Sequence, residues 1–147
     1  MTTRVFIAGS MNIKHLDPKV KERIDNIVTQ DFDVVLGDAD GADTSIQQYL
    51  VNRGMTRAVV FCSGERPRNN VGHWPVQCVE TRHSQGSRAF FTVKDIRMAE
   101  VTDIGLMIWD TKSVNQRAVF ASDQHEFLPI VLMPSYIVCG SLTISKC

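Results

Sequence analysis

The sequence predicts an α/β protein, a Rossmann-like three-layer sandwich with a mainly parallel central sheet of about five strands. Three observations predict it. Short apolar runs without polar alternation recur at residues 4–8, 33–36 and 57–62, the pattern of strands buried on both faces. The segments between them place apolar residues at helical spacing. The junctions are tight turns of Gly, Asp, Ser and Pro, residues that favour turn conformations.

Taken in order, Arg4-Val5-Phe6-Ile7-Ala8 is the first strand, and Gly9-Ser10 ends it. Asp17-Pro18 supplies an N-cap and a proline at the first helical position, with Val20, Ile24, Ile27 and Val28 on one face behind them. Asp33-Val34-Val35-Leu36 is the second strand. Ile46, Tyr49 and Leu50 form the buried stripe of the second helix, which Gly54 closes as a C-terminal cap. Residues 57–62 make the third strand. An irregular insert, "SGERPRNNVGHWPVQCVETRHSQGSR", occupies residues 63–88 and holds at most a short helix near 75–82. A third helix follows over about 93–101, then a fourth strand over 103–109 that ends at Asp110. Ser113-Val114-Asn115-Gln116 has the form of a capping box and predicts another helix. Residues 127–133 read as the fifth strand, and 134–147 as an atypical tail.

A chain of 147 residues with 16 basic and 16 acidic side chains fits one neutral domain over 1–147. Its neutrality gives no electrostatic reason to expect a nucleic-acid footprint. Cys62, Cys78, Cys139 and Cys147 are scattered without metal-ligand spacing, which points to free thiols, no metal and no required cofactor. The opening apolar run is too short for a signal peptide, and no later run approaches a membrane span. The expectation is a cytoplasmic protein that does not engage a membrane.

Parallel sheets bind ligands beyond the carboxyl ends of their strands. That rule collects Gly9 and Ser10, the turn Gly37-Asp38-Ala39-Asp40-Gly41-Ala42-Asp43, and Asp110 with Ser113 along one rim. Gly37 and Gly41 would let a ligand approach the main chain. Asp43 suits a helix N-cap, and Asp38 or Asp40 the hydroxyls of a ribose. The plainer alternative is a turn built of good turn residues. In the insert, Arg66, Arg68, Asn69 and Asn70 offer forks for phosphate, and Trp74 a ring for base stacking. The alternative there is a solvated loop with one anchoring tryptophan. Lys94, Asp95 and Arg97 read as an exposed helix face, with Lys94 and Asp95 kept as minor candidates. Asp103 reads as structural, whereas Asp110 is the best single carboxylate for acid/base chemistry or sugar binding.

"GSMNIKHL", "VLGDADGAD", "SGERPRNNVGHW" and "KDIRMAEVTDIGLMIWDTKS" together resemble the SLOG superfamily over about residues 4–113. This Rossmann-like group includes the DNA-processing Smf/DprA proteins and the LOG phosphoribohydrolases, and the resemblance is nearest to its small stand-alone bacterial members. It implies a nucleotide-like ligand faced by Gly9, Ser10 and residues 37–43, and a segment 94–100 packed beside the pocket. The acidic turn would then be a ribose-and-phosphate cradle.

The chain departs from the family where its hydrolases carry a Gly-Thr pair and a nearby glutamate. Val114-Asn115 stands there instead, and no glutamate follows it until Glu126. A nucleotide-binding sensor or ligand module, acting as a homo-oligomer, is therefore the first expectation. Cleavage or transfer at an N-glycosidic bond is the second, and single-stranded DNA binding the third. The apolar stretch 136–139 reads as an edge strand, a subunit contact or part of a frame-altered terminus.

Overall fold

The computed structural model describes residues 2–108 and the strands at 130–132 and 137–141. The chain runs β1 (Arg4–Gly9), α1 (Pro18–Thr29), β2 (Asp33–Leu36), α2 (Ala42–Asn52), β3 (Ala58–Ser63), β4 (Val76–Val79), α3 (Arg88–Glu100), β5 (Ile104–Ile108), β6 (Ile130–Leu132) and β7 (Ile137–Ser141). One sheet holds all the strands in the order β4-β3-β2-β1-β5-β7-β6. The first five are mutually parallel, and the β6–β7 hairpin adds antiparallel to β5.

Strand side chains alternate between the two faces. Val5, Ile7, Val34, Leu36, Val60, Leu106 and Ile108 therefore pack with Val20 and Ile24 of α1 and with Ile46 and Leu50 of α2. On the opposite face Phe6, Val35, Phe61 and Met107 pack with Met98 of α3. Gly105 is required by this second face: a side chain there would run into the Phe6 ring, 2.5 Å away. The three layers are those expected, and no helix among the described residues is long and apolar enough to cross a membrane.

Helix boundaries follow local chemistry. Asp17 caps α1 by accepting the Lys19 N–H at 2.8 Å, with Pro18 behind it. Gly54, at φ +70°, follows the end of α2 in the left-handed conformation open to glycine. Ser87 caps α3 by accepting from Phe90 N–H at 3.1 Å, so this helix begins at Arg88 rather than near residue 93. Asp103 joins the starts of β1 and β5: it accepts the Arg4 N–H and donates its own N–H to the Arg4 carbonyl, both at 2.9 Å.

Two expectations change. The segment 75–82 forms no helix; its residues 76–79 are β4, a parallel edge strand on β3. Pro75 opens it, its carbonyl accepts the Val60 N–H at 2.9 Å, and ladder pairing decides a segment too short to show a period. The strand expected over 127–133 is present as the short β6 at Ile130–Leu132, antiparallel to β7. The apolar residues at 137–139 lie in β7, flanked by β5 and β6, so they are not a sheet edge. The helix expected from Ser113, with Asp110 and Ser113 themselves, lies outside the described residues.

Candidate functional site

From β1 the chain steps outward through β2, β3 and β4, then returns across the sheet through α3 to β5 on the other side of β1. Strand order reverses between β1 and β5, and an open α/β sheet forms its ligand crevice at such a reversal. A cavity of about 470 Å³ lies there, on the α3 face. Phe6, Ala8, Met98 and Met107 form an apolar floor, while Ser10, Asn12, Asp43, Arg68, Arg88 and Lys94 supply polar groups around it. Ser10 N–H donates to the Ile108 carbonyl at 2.9 Å and so ties the turn after β1 to the end of β5.

The acidic turn after β2 divides its carboxylates. Asp38 is buried and accepts from the Arg68 main-chain N–H at 2.9 Å, Arg68 Nε at 3.3 Å and Arg68 Nη2 at 3.0 Å. Asp40 is exposed and accepts from Asn69 Nδ2 at 2.9 Å, which also donates to the Asp38 carbonyl at 2.9 Å. Both carboxylates therefore hold the insert to the turn, and the ribose role expected of Asp38 and Asp40 is replaced by a clamp. Asp43 alone of the three lines the cavity.

Asp43 does not cap α2. Gly41 is the N-cap and Asp43 lies inside the first turn. Its Oδ2 accepts the Ala39 N–H at 3.1 Å, while Oδ1 is buried and has no hydrogen-bond partner among the described residues. Burial raises its pKa to about 6, against the pull of Lys94. A carboxyl group in this setting changes charge near neutral pH.

The glycines serve packing. A side chain on Gly37 would occupy the space of the Asp43 carboxylate, so Gly37 is what allows Asp43 to fold over the end of β2. Gly41, at φ +81°, faces the Met11 main chain with no room for a Cβ. A Cβ on Gly9 would meet the Ala42 Cβ at 2.5 Å and the Ile108 carbonyl oxygen at 2.8 Å. Ala42 N–H donates to the Ser10 carbonyl at 3.2 Å. The turn after β1 thus covers the start of α2, and of the expected cradle Gly9, Ser10, Ala39 and Asp43 line the cavity while Gly37 and Gly41 pack against protein.

Lys94 is also corrected. It is 3% exposed rather than part of a solvated face, and its Nζ lies 2.6 Å from Asp95 Oδ1 and 4.0 Å from Asp38 Oδ1. Burial disfavours its charge, but Asp95, Asp43 and Asp38 outweigh that cost and raise its pKa, so the amine is held protonated. Arg97, by contrast, is exposed and pairs with Glu100 at 3.1 Å.

The insert is anchored rather than loose. Asn70 brackets Trp74, accepting its N–H at 3.0 Å and donating to its carbonyl at 2.8 Å. Trp74 is buried in the core on the α1–α2 face and donates Nε1–H to the Met55 carbonyl at 3.0 Å. It is no platform for stacking a base, which corrects that reading, and Asn69 and Asn70 are engaged in holding the loop. Arg66 is exposed and does not line the cavity. The Arg68 guanidinium lies 4.1 Å from the centroid of the Phe91 ring, a cation–π contact at the cavity wall.

Sequence reasoning missed one residue of this clamp. Gln47 is fully buried on α2; its Nε2 donates to the Gly37 carbonyl at 2.8 Å and the Asn69 carbonyl at 3.2 Å, and its Oε1 accepts the Val71 N–H at 2.8 Å. The available signal was a glutamine one residue after Ile46, on the buried side of the helix. Among the described residues no group of three or more His, Cys, Asp or Glu side chains is arranged to hold a metal ion. Compared with known proteins, the chain matches no family model, no curated protein and no solved structure.

Proposed function

We propose that the chain is a binding module for a nucleotide or nucleotide-derived ligand, working as a sensor. The observation that carries this reading is the cavity of about 470 Å³ at the reversal of strand order, a size within the ordinary range of small-molecule sites. Its apolar floor suits a base. The Asp43 carboxyl in the lining suits a ligand hydroxyl or amine donor, and Arg88, exposed and in the same lining, suits a phosphate. The test is a thermal-shift screen against nucleosides, mono- to triphosphates, cyclic nucleotides and nicotinamide cofactors, with each sample then chromatographed. A stabilising ligand recovered intact supports the reading, and no stabilisation by any of them overturns it.

One observation favours a second reading, hydrolysis or transfer at an N-glycosidic bond. Asp43 is buried in the cavity with a pKa raised to about 6, so it can hold a proton near neutral pH as a general acid requires. Free base in the same chromatograms, absent with Asp43→Asn, would establish it; base release unchanged by that substitution would remove Asp43 from the chemistry.

A further inference from the structure

A second pair of groups lies outside the cavity. Cys62 of β3 and Cys78 of β4 are register partners on adjacent parallel strands. Register partners point to the same face of a sheet, and neighbouring strands lie about 4.8 Å apart, inside the roughly 4.4–6.8 Å that a disulfide spans between Cα atoms. Their sulfurs are already 3.7 Å apart, with the Cys62 thiol directed at Cys78 Sγ. Cys78 is exposed and Cys62 is buried.

We propose that Cys62 and Cys78 form a peroxide-reactive thiol pair that closes to a disulfide. Cys78, reached from solvent, attacks one oxygen of a peroxide; the O–O bond breaks and the departing hydroxide takes the Cys78 proton to leave as water. The resulting sulfenic acid is then attacked by Cys62 sulfur. The S–O bond breaks, the Cys62 proton leaves with the hydroxide as a second water, and the S–S bond forms. Two electrons pass from the sulfurs to the peroxide. Burial and the Cys78 neighbour push the Cys62 thiol up to about 12, so the first attack falls to Cys78, and Cys62 enters the second step as a thiol whose proton the departing hydroxide takes.

The bridge would close a ring around residues 63–77, the part of the insert that carries the Asp38–Arg68 clamp and the Asn70–Trp74 bracket. Oxidation therefore fixes the loop whose Arg68 walls the cavity. It needs only side-chain rotation, because the strands already stand at bridging distance. On closure Cys78 gives up its hydrogen bond to the Glu65 carbonyl, now 3.3 Å long.

The test treats the full-length protein with hydrogen peroxide, alkylates remaining thiols and maps tryptic peptides without reduction. The expected result is one species, lighter by two hydrogens, in which the peptide holding Cys62 travels with the peptide holding Cys78. Reduction separates them. Cys78→Ser must lose the linked species, while Cys139→Ser and Cys147→Ser must keep it. Recovery of Cys62 and Cys78 as alkylated thiols overturns the proposal, as does linkage of Cys78 to another cysteine or its oxidation to sulfinic acid with Cys62 still free. None of these outcomes depends on the cavity's ligand.

Discussion

Asp43→Asn offers the sharpest test of the site, because the residue's burial has a calculable effect on stability. The carboxyl group stands at about 6 in the folded protein against 3.8 in an unfolded chain. Below the lower value both states are protonated and the group does not discriminate. As pH rises between the two values the unfolded state ionises first, so folding loses support. Above about 6 both states are ionised and the loss is complete. The gap corresponds to about 3 kcal/mol, or a fall in Tm of roughly 6–12 °C for a chain of this size. Asparagine keeps an oxygen for the Ala39 N–H and cannot ionise. Urea denaturation of both proteins at intervals from pH 4 to pH 7.5 isolates the effect, because every other titrating group is common to the pair. The variant should gain on the wild type as pH rises, by about 2.5 kcal/mol over this range, since part of the loss already falls below pH 4. Curves that stay parallel would refute the assignment of a buried, desolvated carboxyl at this position.

Three further outcomes follow from the same geometry. Gly41→Val forces a Cβ into the Met11 main chain at φ +81° and should destabilise the protein by more than about 2 kcal/mol in urea; wild-type stability would show that the turn after β1 does not cover α2. Asp38→Asn removes the carboxylate that Arg68 and Lys94 share. It should cost about 2 kcal/mol, discounted for the 31% exposure of the Arg68 side chain, and speed tryptic cleavage after Arg68; an unchanged cleavage rate would dismiss the clamp. Trp74→Phe should lower stability by about 1–2 kcal/mol through the lost Nε1 hydrogen bond and ring volume yet leave the thermal shift of any ligand found in the screen intact, whereas loss of that shift would return Trp74 to the site.

The elements that sequence revealed are those whose signal is local. Asp17-Pro18 and Gly54 mark helix ends by main-chain chemistry that acts within a turn. The apolar runs of β1, β2, β3 and β5 mark strands buried on both faces. Asp103 could be read as structural from its place at the start of a strand, whereas its partner Arg4, 99 positions away, came only from the fold. β4 could not, since four residues on an edge carry no readable period and only pairing with β3 makes them a strand.

At the site the division is the same. Sequence alone determined that glycines and carboxylates gather at the carboxyl ends of parallel strands, because strand period, turn chemistry and chain order are properties of neighbouring residues. Which carboxylate meets the cavity was decided by tertiary structure. Asp38 and Asp43 are five residues apart and of one residue type. One is neutralised by an arginine thirty positions away, and the other is left with a bare oxygen beside Lys94. Lys94 itself reads as solvated on its own helix and becomes a buried ammonium only because three carboxylates converge on it. Charge and desolvation depend on distances through space, and those distances exist only once the chain has folded.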